Sequence, residues 1–422
     1  MNPLDYLFGL EFFGIKLGLE NIRNLMNAAG NPQDSLTTIH VAGTNGKGST
    51  LAFLDSILQE SGYRTGRFTS PHLIEVNERF LLDSIPINDE TLDRIILQYK
   101  TLAEKNDLSP TFFEINTAIA FQYFADEKVN IALIETGLGG RFDSTNIIKP
   151  FACAITHIGL DHMQFLGNTL GEIAFEKAGI IKMNTPVVVG PIDEEAMVPI
   201  ARKATEENAP VWAPTDGYSF STSKNGTFSY ESQGTLLTDV TLSMPGVFQP
   251  ANAAIATALA LQLKVDFPKI TTATIRKGLE TATWPGRMEV IPQKPPIIMD
   301  AAHNLEAMEA LEQSLESRCV VVLGLSNDKP GRAMIESILP KSEVLILTQF
   351  DGHRAYDTDT LSKEMGSTPH ETMPELELAL GRGLEMAKEK DIPLLITGSL
   401  FTIGQARKIL QDQELIPKLA FR

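Results

Sequence analysis

Only two cysteines occur in 422 residues, Cys153 and Cys319, which is too few for a disulfide framework or a cysteine zinc site. Both stand in apolar, strand-like runs, where reduced core thiols are expected. Basic charge is also short. The formal net charge of −17 argues against nucleic acid or an anionic membrane as partner, leaves any anionic ligand to local groups, and favours a magnesium cofactor. No apolar run is long enough to cross a bilayer. The stretch MNPLDYLFGLEFFGIKLGLENI lacks a basic start leading into an unbroken apolar segment, so no secretory leader is expected and a cytoplasmic protein is. Internal repeats, low-complexity tracts and a G-x-S-x-G nucleophile elbow are missing as well.

What is present is an ordinary globular composition, 43% hydrophobic and 21% charged, at a length that suggests two domains. Apolar strand-like runs at 39–43, 66–70, 131–136, 152–158 and 186–190 alternate with helical patterns. This predicts a parallel sheet covered on both faces. The polar stretch Asp216 to Gly234 reads as antiparallel hairpins added to that sheet, and Asn252 to Leu263 as a helix. Prolines 285, 292, 295 and 296 then break regular structure. A second strand series at 297–302, 319–325, 343–349 and 393–399 predicts a smaller α/β domain. The expected division is 1–283, a linker at 284–296, and 297–422.

The richest stretch is VAGTNGKGST at 41–50, between an apolar strand and a helix predicted over Ser49 to Ser61. Exposed N–H groups at a helix N-terminus and the helix dipole favour an anion there. Thr44, Asn45, Gly46, Lys47, Gly48 and Ser49 form a phosphate loop in which glycines admit the phosphates, Lys47 neutralises charge, and Ser49 or Thr50 can meet Mg²⁺. Gly48 departs from the usual spacing, in which Ser or Thr follows the lysine directly. Taken by itself, the stretch could also be an ordinary turn.

Ligands of open parallel sheets sit beyond the carboxyl ends of the strands. Ser70, Glu135 and His162 fall at such ends, and a hydroxyl, a carboxylate and an imidazole beside bound phosphates suit Mg²⁺. Glu135 could instead be a capping carboxylate and His162 a structural histidine. Gly137, Gly139 and Gly140 before Arg141 suggest a second anion-friendly loop. Lys177 lies in a helical pattern, where a solvated lysine is the default. In the second series Asp300, His303, Asn304, Lys329 and Ser399 fall at strand ends, and Arg287 falls in the hinge. Arg287 and Asp300 can together grip a nucleotide held between domains, although Asp300 and His303 could instead cap the helix that follows.

The ordered set VAGTNGKGST, TSPHL, TFFE, ETGLGGRFDSTN, HIGLDHMQFLG, EKAGI, PGRME, DAAHN and GSLF resembles the folylpolyglutamate synthase and dihydrofolate synthase family, a branch of the Mur-type ATP-dependent amide ligases. The resemblance runs from about Asp5 to Arg407. It implies the central and C-terminal Mur ligase domains, a phosphate-loop domain followed by a smaller Rossmann-like one. It implies ATP at the loop with Asn252, Arg287 and Asp300, and magnesium on Ser70, Glu135 and His162. It makes Lys177 the lysine that reacts with carbon dioxide to give a carbamate, and puts Lys47, Lys177 and His303 in catalytic positions. His303 and Ser399 would face L-glutamate, and Phe113, Phe142, Asp143 and Ser144 the pterin or folate.

The implied reaction has ATP phosphorylate a substrate carboxylate, after which the glutamate amine displaces phosphate. Dihydropteroate and tetrahydrofolate are the implied acceptors, and a monomer is expected. Ala301 and Leu305 replace a glycine and a proline usual in the family. Lys16, in a folate-contacting segment at 14–19, stands where some bifunctional members are acidic. The rival readings are a Mur ligase acting on a peptidoglycan precursor, which usually carries a further N-terminal domain, and an ATP-driven switch protein.

Overall fold

The computed structural model describes residues 2–13, 18–214, 216–232 and 234–421. Lys16 therefore lies outside the described residues, and only Gly18 and Leu19 of the 14–19 segment fall within them.

The first sheet contains β1 (Thr38–Ala42), β2 (Thr65–Phe68), β3 (Phe80–Leu82), β4 (Ile85–Pro86), β5 (Ile131–Glu135), β6 (Ala152–Ile155), β7 (Val187–Val189) and β8 (Val211–Trp212). Their order is β4-β3-β2-β5-β1-β6-β7-β8, with β2, β5, β1, β6, β7 and β8 parallel. Every residue of β1, β5 and β6 is buried, the burial on both faces that a parallel sheet between helices requires. β1 lies between β5 and β6 although its chain next runs to β2. A crevice therefore opens at its carboxyl end, where the phosphate loop begins.

The segment expected as hairpins on this sheet forms a sheet of its own, β9 (Tyr218–Thr222), β10 (Phe228–Ser232) and β11 (Thr235–Val240), antiparallel throughout. The reason is its apolar alternation. Tyr218, Phe228, Tyr230, Leu237 and Val240 are buried in one cluster with the Gln249–Leu263 helix, so these strands pack face-on against a helix and do not extend the sheet edge.

The second domain carries β12 (Glu289–Ile291), β13 (Ile297–Asp300), β14 (Cys319–Leu323), β15 (Ser342–Gln349), β16 (Glu371–Glu375) and β17 (Leu394–Thr397) in the order β12-β13-β17-β14-β15-β16. All neighbours are parallel except β12, which runs antiparallel to β13, so part of the proline-rich stretch is an edge strand. Cys153 and Cys319 are free and buried. Among the described residues no helix is long and apolar enough to cross a membrane.

Candidate active site

The turn after β1 is built before any ligand arrives. Gly46 caps the Lys47–Glu60 helix with φ 88°, and a Cβ there would lie 2.4 Å from Asn252 Oδ1. Thr44 is tied to the end of β6: its N–H donates to His157 O at 2.7 Å and its hydroxyl to Gly159 O at 3.0 Å. Thr156 Oγ1 donates to Asn45 O at 2.6 Å. Lys47 Nζ donates to Gly43 O at 3.0 Å and Thr44 O at 3.3 Å, and stands 3.8 Å from Glu135 Oε1. The ammonium is thus folded back over the loop, where an anion would meet it.

A cavity of about 370 Å³ opens above this loop, bounded by both domains. Ser70, Glu135, His162, Lys177, Asn252, Arg287, Asp300 and His303 all line it, together with loop residues 43–49. Glu135 ends β5 and is buried; burial pushes its carboxyl up, opposed by Lys47, the Ser70 N–H, Arg287 and Arg79. Ser70 N donates to its Oε2 at 3.3 Å, a long bond that leaves acceptor capacity facing the cavity. His162 is held at φ 50° before a short helix, and burial lowers its imidazole pKa, favouring the neutral ring with a free lone pair.

Among the described residues no three of His, Cys, Asp and Glu converge as a metal cluster. One carboxylate, one imidazole and one hydroxyl beside a phosphate loop fit a cation that completes its shell with phosphate and water, as Mg²⁺ does.

Lys177 departs most from its local pattern. It is buried within the Leu170–Ala178 helix, and its amine is brought down to about 7, first by burial and then by Lys47. Burial and the neighbouring cation thus favour the uncharged, nucleophilic amine.

The second domain meets the loop through a polar contact that the sequence pattern did not assign. Asp161, after β6, accepts from Lys329 Nζ at 2.6 Å and Asn304 Nδ2 at 3.3 Å, and lies 3.7 Å from His303 Nε2. Burial pushes its carboxyl up, but His162, Lys329 and His303 together hold it well below the usual range. Asn304 Nδ2 also donates to Asn45 Oδ1 at 3.1 Å, tying the phosphate loop to the second domain. Asp300 accepts from Met288 N at 2.7 Å and Ala302 N at 2.8 Å, fixing the hinge on the end of β13. His303 Nδ1–H donates to Ala301 O at 2.9 Å, and burial takes its ring down to about 4. Ser399 caps the Leu400–Asp412 helix and lies 3.3 Å from Ser326 Oγ. It is buried and does not line the cavity.

The pterin candidates gather around Gly137 and stay off the loop. Phe113 packs against that glycine, with a Cβ there only 2.5 Å from its ring. Asp143 is buried and already accepts from Leu138 N at 2.8 Å and from Thr145 N and Oγ1 at 3.0 and 2.5 Å. Ser144 is buried beside it, whereas Phe142 is 40% exposed with the Arg141 guanidinium 4.2 Å from its ring centroid. Arg141 also pairs with Glu176, so the expected anion loop has its cation engaged.

A phosphate loop and a second parallel-sheet domain closing over one cavity define a nucleotide-dependent ligase of two α/β domains. Residues 41–260 match the Mur ligase middle domain and residues 286–400 the Mur ligase glutamate ligase domain. The dihydrofolate synthase/folylpolyglutamate synthase of Bacillus subtilis strain 168 is 38% identical, covering 96% of this chain and 98% of that protein. A Mycobacterium tuberculosis folylpolyglutamate synthase complexed with ADP and AMPPCP superposes with TM-score 0.88 at 29% identity, over 96% of this chain and 98% of that one. E. coli FolC in complex with DHPP and ADP superposes with TM-score 0.89 at 27% identity, over 98% and 99%. The chain belongs to the folylpolyglutamate and dihydrofolate synthases of the Mur ligase family, and it is an ATP-dependent ligase.

Proposed function

We propose that the chain uses ATP to join L-glutamate to folates, accepting both dihydropteroate and tetrahydrofolate, within one cleft between its domains. The observation that carries this is the cavity itself: phosphate loop, buried carboxylate, buried neutral-prone lysine and hinge arginine line one space closed by the second domain. Such a cleft suits a two-substrate ligation, whereas a switch protein needs no second α/β domain over its nucleotide. The peptidoglycan reading is disfavoured by the folate relatives that match nearly the whole chain.

In the proposed reaction the substrate carboxylate attacks the γ-phosphate of ATP, ADP leaves, and the glutamate amine then displaces phosphate from the acyl phosphate. The N–H groups of residues 44–49 hold the phosphates, and Asn252, Arg287 and Asp300 contact the nucleotide. Lys47 and Arg287 neutralise the transferring group, so positioning and charge carry the first step. Ser70, Glu135 and His162 would hold Mg²⁺, which when bound offsets phosphate charge.

Lys177, its amine brought down to about 7, adds to carbon dioxide through Nζ with loss of a proton and thereby turns a buried cation site into an anionic one. His303 would face glutamate, with Ser399 buried outside the cavity lining, and Phe113, Phe142, Asp143 and Ser144 would face the pterin, a flat ring suited to aromatic contact. The chain closes its own cavity, which supports a monomer, and the domains divide within 284–296.

Incubation with ATP, glutamate and either dihydropteroate or tetrahydrofolate, with the products weighed by mass spectrometry, tests the reading. A mass gain of one glutamyl residue on each acceptor is expected. Phosphate release indifferent to glutamate and folate would overturn the ligase reading.

A further inference from the structure

Gly48 is the residue that separates this phosphate loop from the usual spacing, and its backbone gives no reason for a glycine. It lies in the first turn of the Lys47–Glu60 helix without a left-handed φ. Alanine is preferred over glycine inside helices by roughly 1 kcal/mol. The reason lies across the molecule: a Cβ on Gly48 would stand 2.7 Å from Trp284 Nε1, 3.0 Å from Cε2 and 3.1 Å from Cζ2. The interdomain linker thus lays its indole on the helix that starts at the phosphate loop.

The same indole rests on a second element of the site. The guanidinium of Arg67, in β2, lies 4.8 Å from the Trp284 ring centroid, and Arg67 is wholly buried. Its ion-pair partner is Asp55 of the Lys47–Glu60 helix at 3.3 Å, and its three nitrogens have no hydrogen-bond acceptor. A buried cation so placed depends on the ring for favourable surroundings. Arg67 stands three residues before Ser70, and Trp284 three residues before Arg287, which lines the cavity. Between them, Gly286 O accepts from Ala301 N at 2.9 Å and so joins the linker to the end of β13. The ring of Phe421, near the C-terminus, lies 5.8 Å from the indole.

We infer that Trp284 is a positioning residue: seated on Gly48 and Arg67, it fixes the linker, and with it Arg287 and the second domain, against the phosphate loop. Gly48 is there to admit the indole, so the loop's departure from the usual spacing marks the linker's docking point. The inference rests on the proposed ATP site, and it adds a link between occupancy of that site and domain placement.

Three variants of the full chain, Gly48→Ala, Trp284→Leu and their combination, test it through ADP binding by calorimetry and through kcat and KM for ATP. Leucine lacks the three indole atoms that meet the new methyl. Gly48→Ala should weaken ADP binding about tenfold, and the double variant should bind ADP within about threefold of Trp284→Leu alone. Trp284→Leu should lower kcat about tenfold while KM for ATP moves less, with Trp284→Phe restoring most of it.

Additive losses in the double variant, wild-type ADP binding by Gly48→Ala, or an unchanged kcat in Trp284→Leu would each overturn the inference. Should Trp284→Leu fold poorly by circular dichroism, Gly48→Ala combined with Trp284→Phe replaces it: phenylalanine lacks the indole Nε1 and Cζ2, so ADP binding should recover at least in part, and a loss equal to that of Gly48→Ala alone would overturn the seating geometry. The calorimetric arm uses neither folate nor glutamate, so it stands or falls separately from the ligase reading.

Discussion

The two parallel sheets end on one cleft, yet their strand-end residues are committed differently. In the first domain they are turned toward a ligand. Lys47 is folded over the loop, Glu135 keeps acceptor capacity toward the cavity, and Lys177 is buried with its amine brought down to about 7. In the second domain they are turned toward the first. Asn304 holds Asn45 and Asp161, Lys329 pairs with Asp161, and Asp300 braces the hinge. Arg287, Asp300 and His303 still line the cavity, but the second sheet's polar contacts tie the two domains together, so the two sets should fail differently when altered.

Lys177→Ala should break the ligand-facing set most deeply, with activity down roughly a hundredfold or more, the size expected for loss of a charged group aimed at the reaction. Its fold should hold, since a buried amine with a depressed pKa costs stability. The unfolded state binds the extra proton between about 7 and the ordinary lysine value, so wild-type stability rises with pH through that window. The alanine variant should lose that rise in thermal melts. Partial rescue by short carboxylic acids supports the carbamate; wild-type turnover in the variant would remove it.

Asp161→Ala should break the closing set. It removes the nearer of the two carboxylates paired with Lys329, leaving only Asp328 at 3.6 Å, and should expand the molecule in small-angle scattering. An unchanged scattering profile would show that the contact does not hold the domains. Glu135→Gln keeps the shape of the site and should shift the magnesium titration about tenfold; an unmoved titration places the metal elsewhere. Phe142→Ala should have the smallest effect, raising KM for the folate roughly threefold and leaving ADP binding alone, because its ring is 40% exposed. A change in ADP binding would join the pterin candidates to the nucleotide site after all.

Much of the fold is legible in the sequence. The predicted strands at 39–43, 131–136 and 152–158 correspond to β1, β5 and β6, because runs buried on both faces leave an unbroken apolar pattern. The hairpins after Asp216 were legible as strands but not by their partner, since alternation states which face is apolar and not what covers it. The loop at 41–50 was legible because glycine, lysine and hydroxyl at a strand-to-helix turn have a local purpose. Lys177 was legible only through the motif EKAGI, because its helix by itself reads as an ordinary amphipathic segment and the groups that face it, Lys47, Asp143 and Asp161, lie far from it along the chain.

The sequence by itself determined two α/β domains, a phosphate loop and a set of motifs whose order resembles one ligase family, since each of these is written in local spacing. The tertiary structure alone decided that Lys177 is buried near Lys47, that Asp161 joins the domains, and that Gly48 makes room for Trp284. Desolvation, ion pairing and steric exclusion act between residues far apart along the chain, and no local pattern records them.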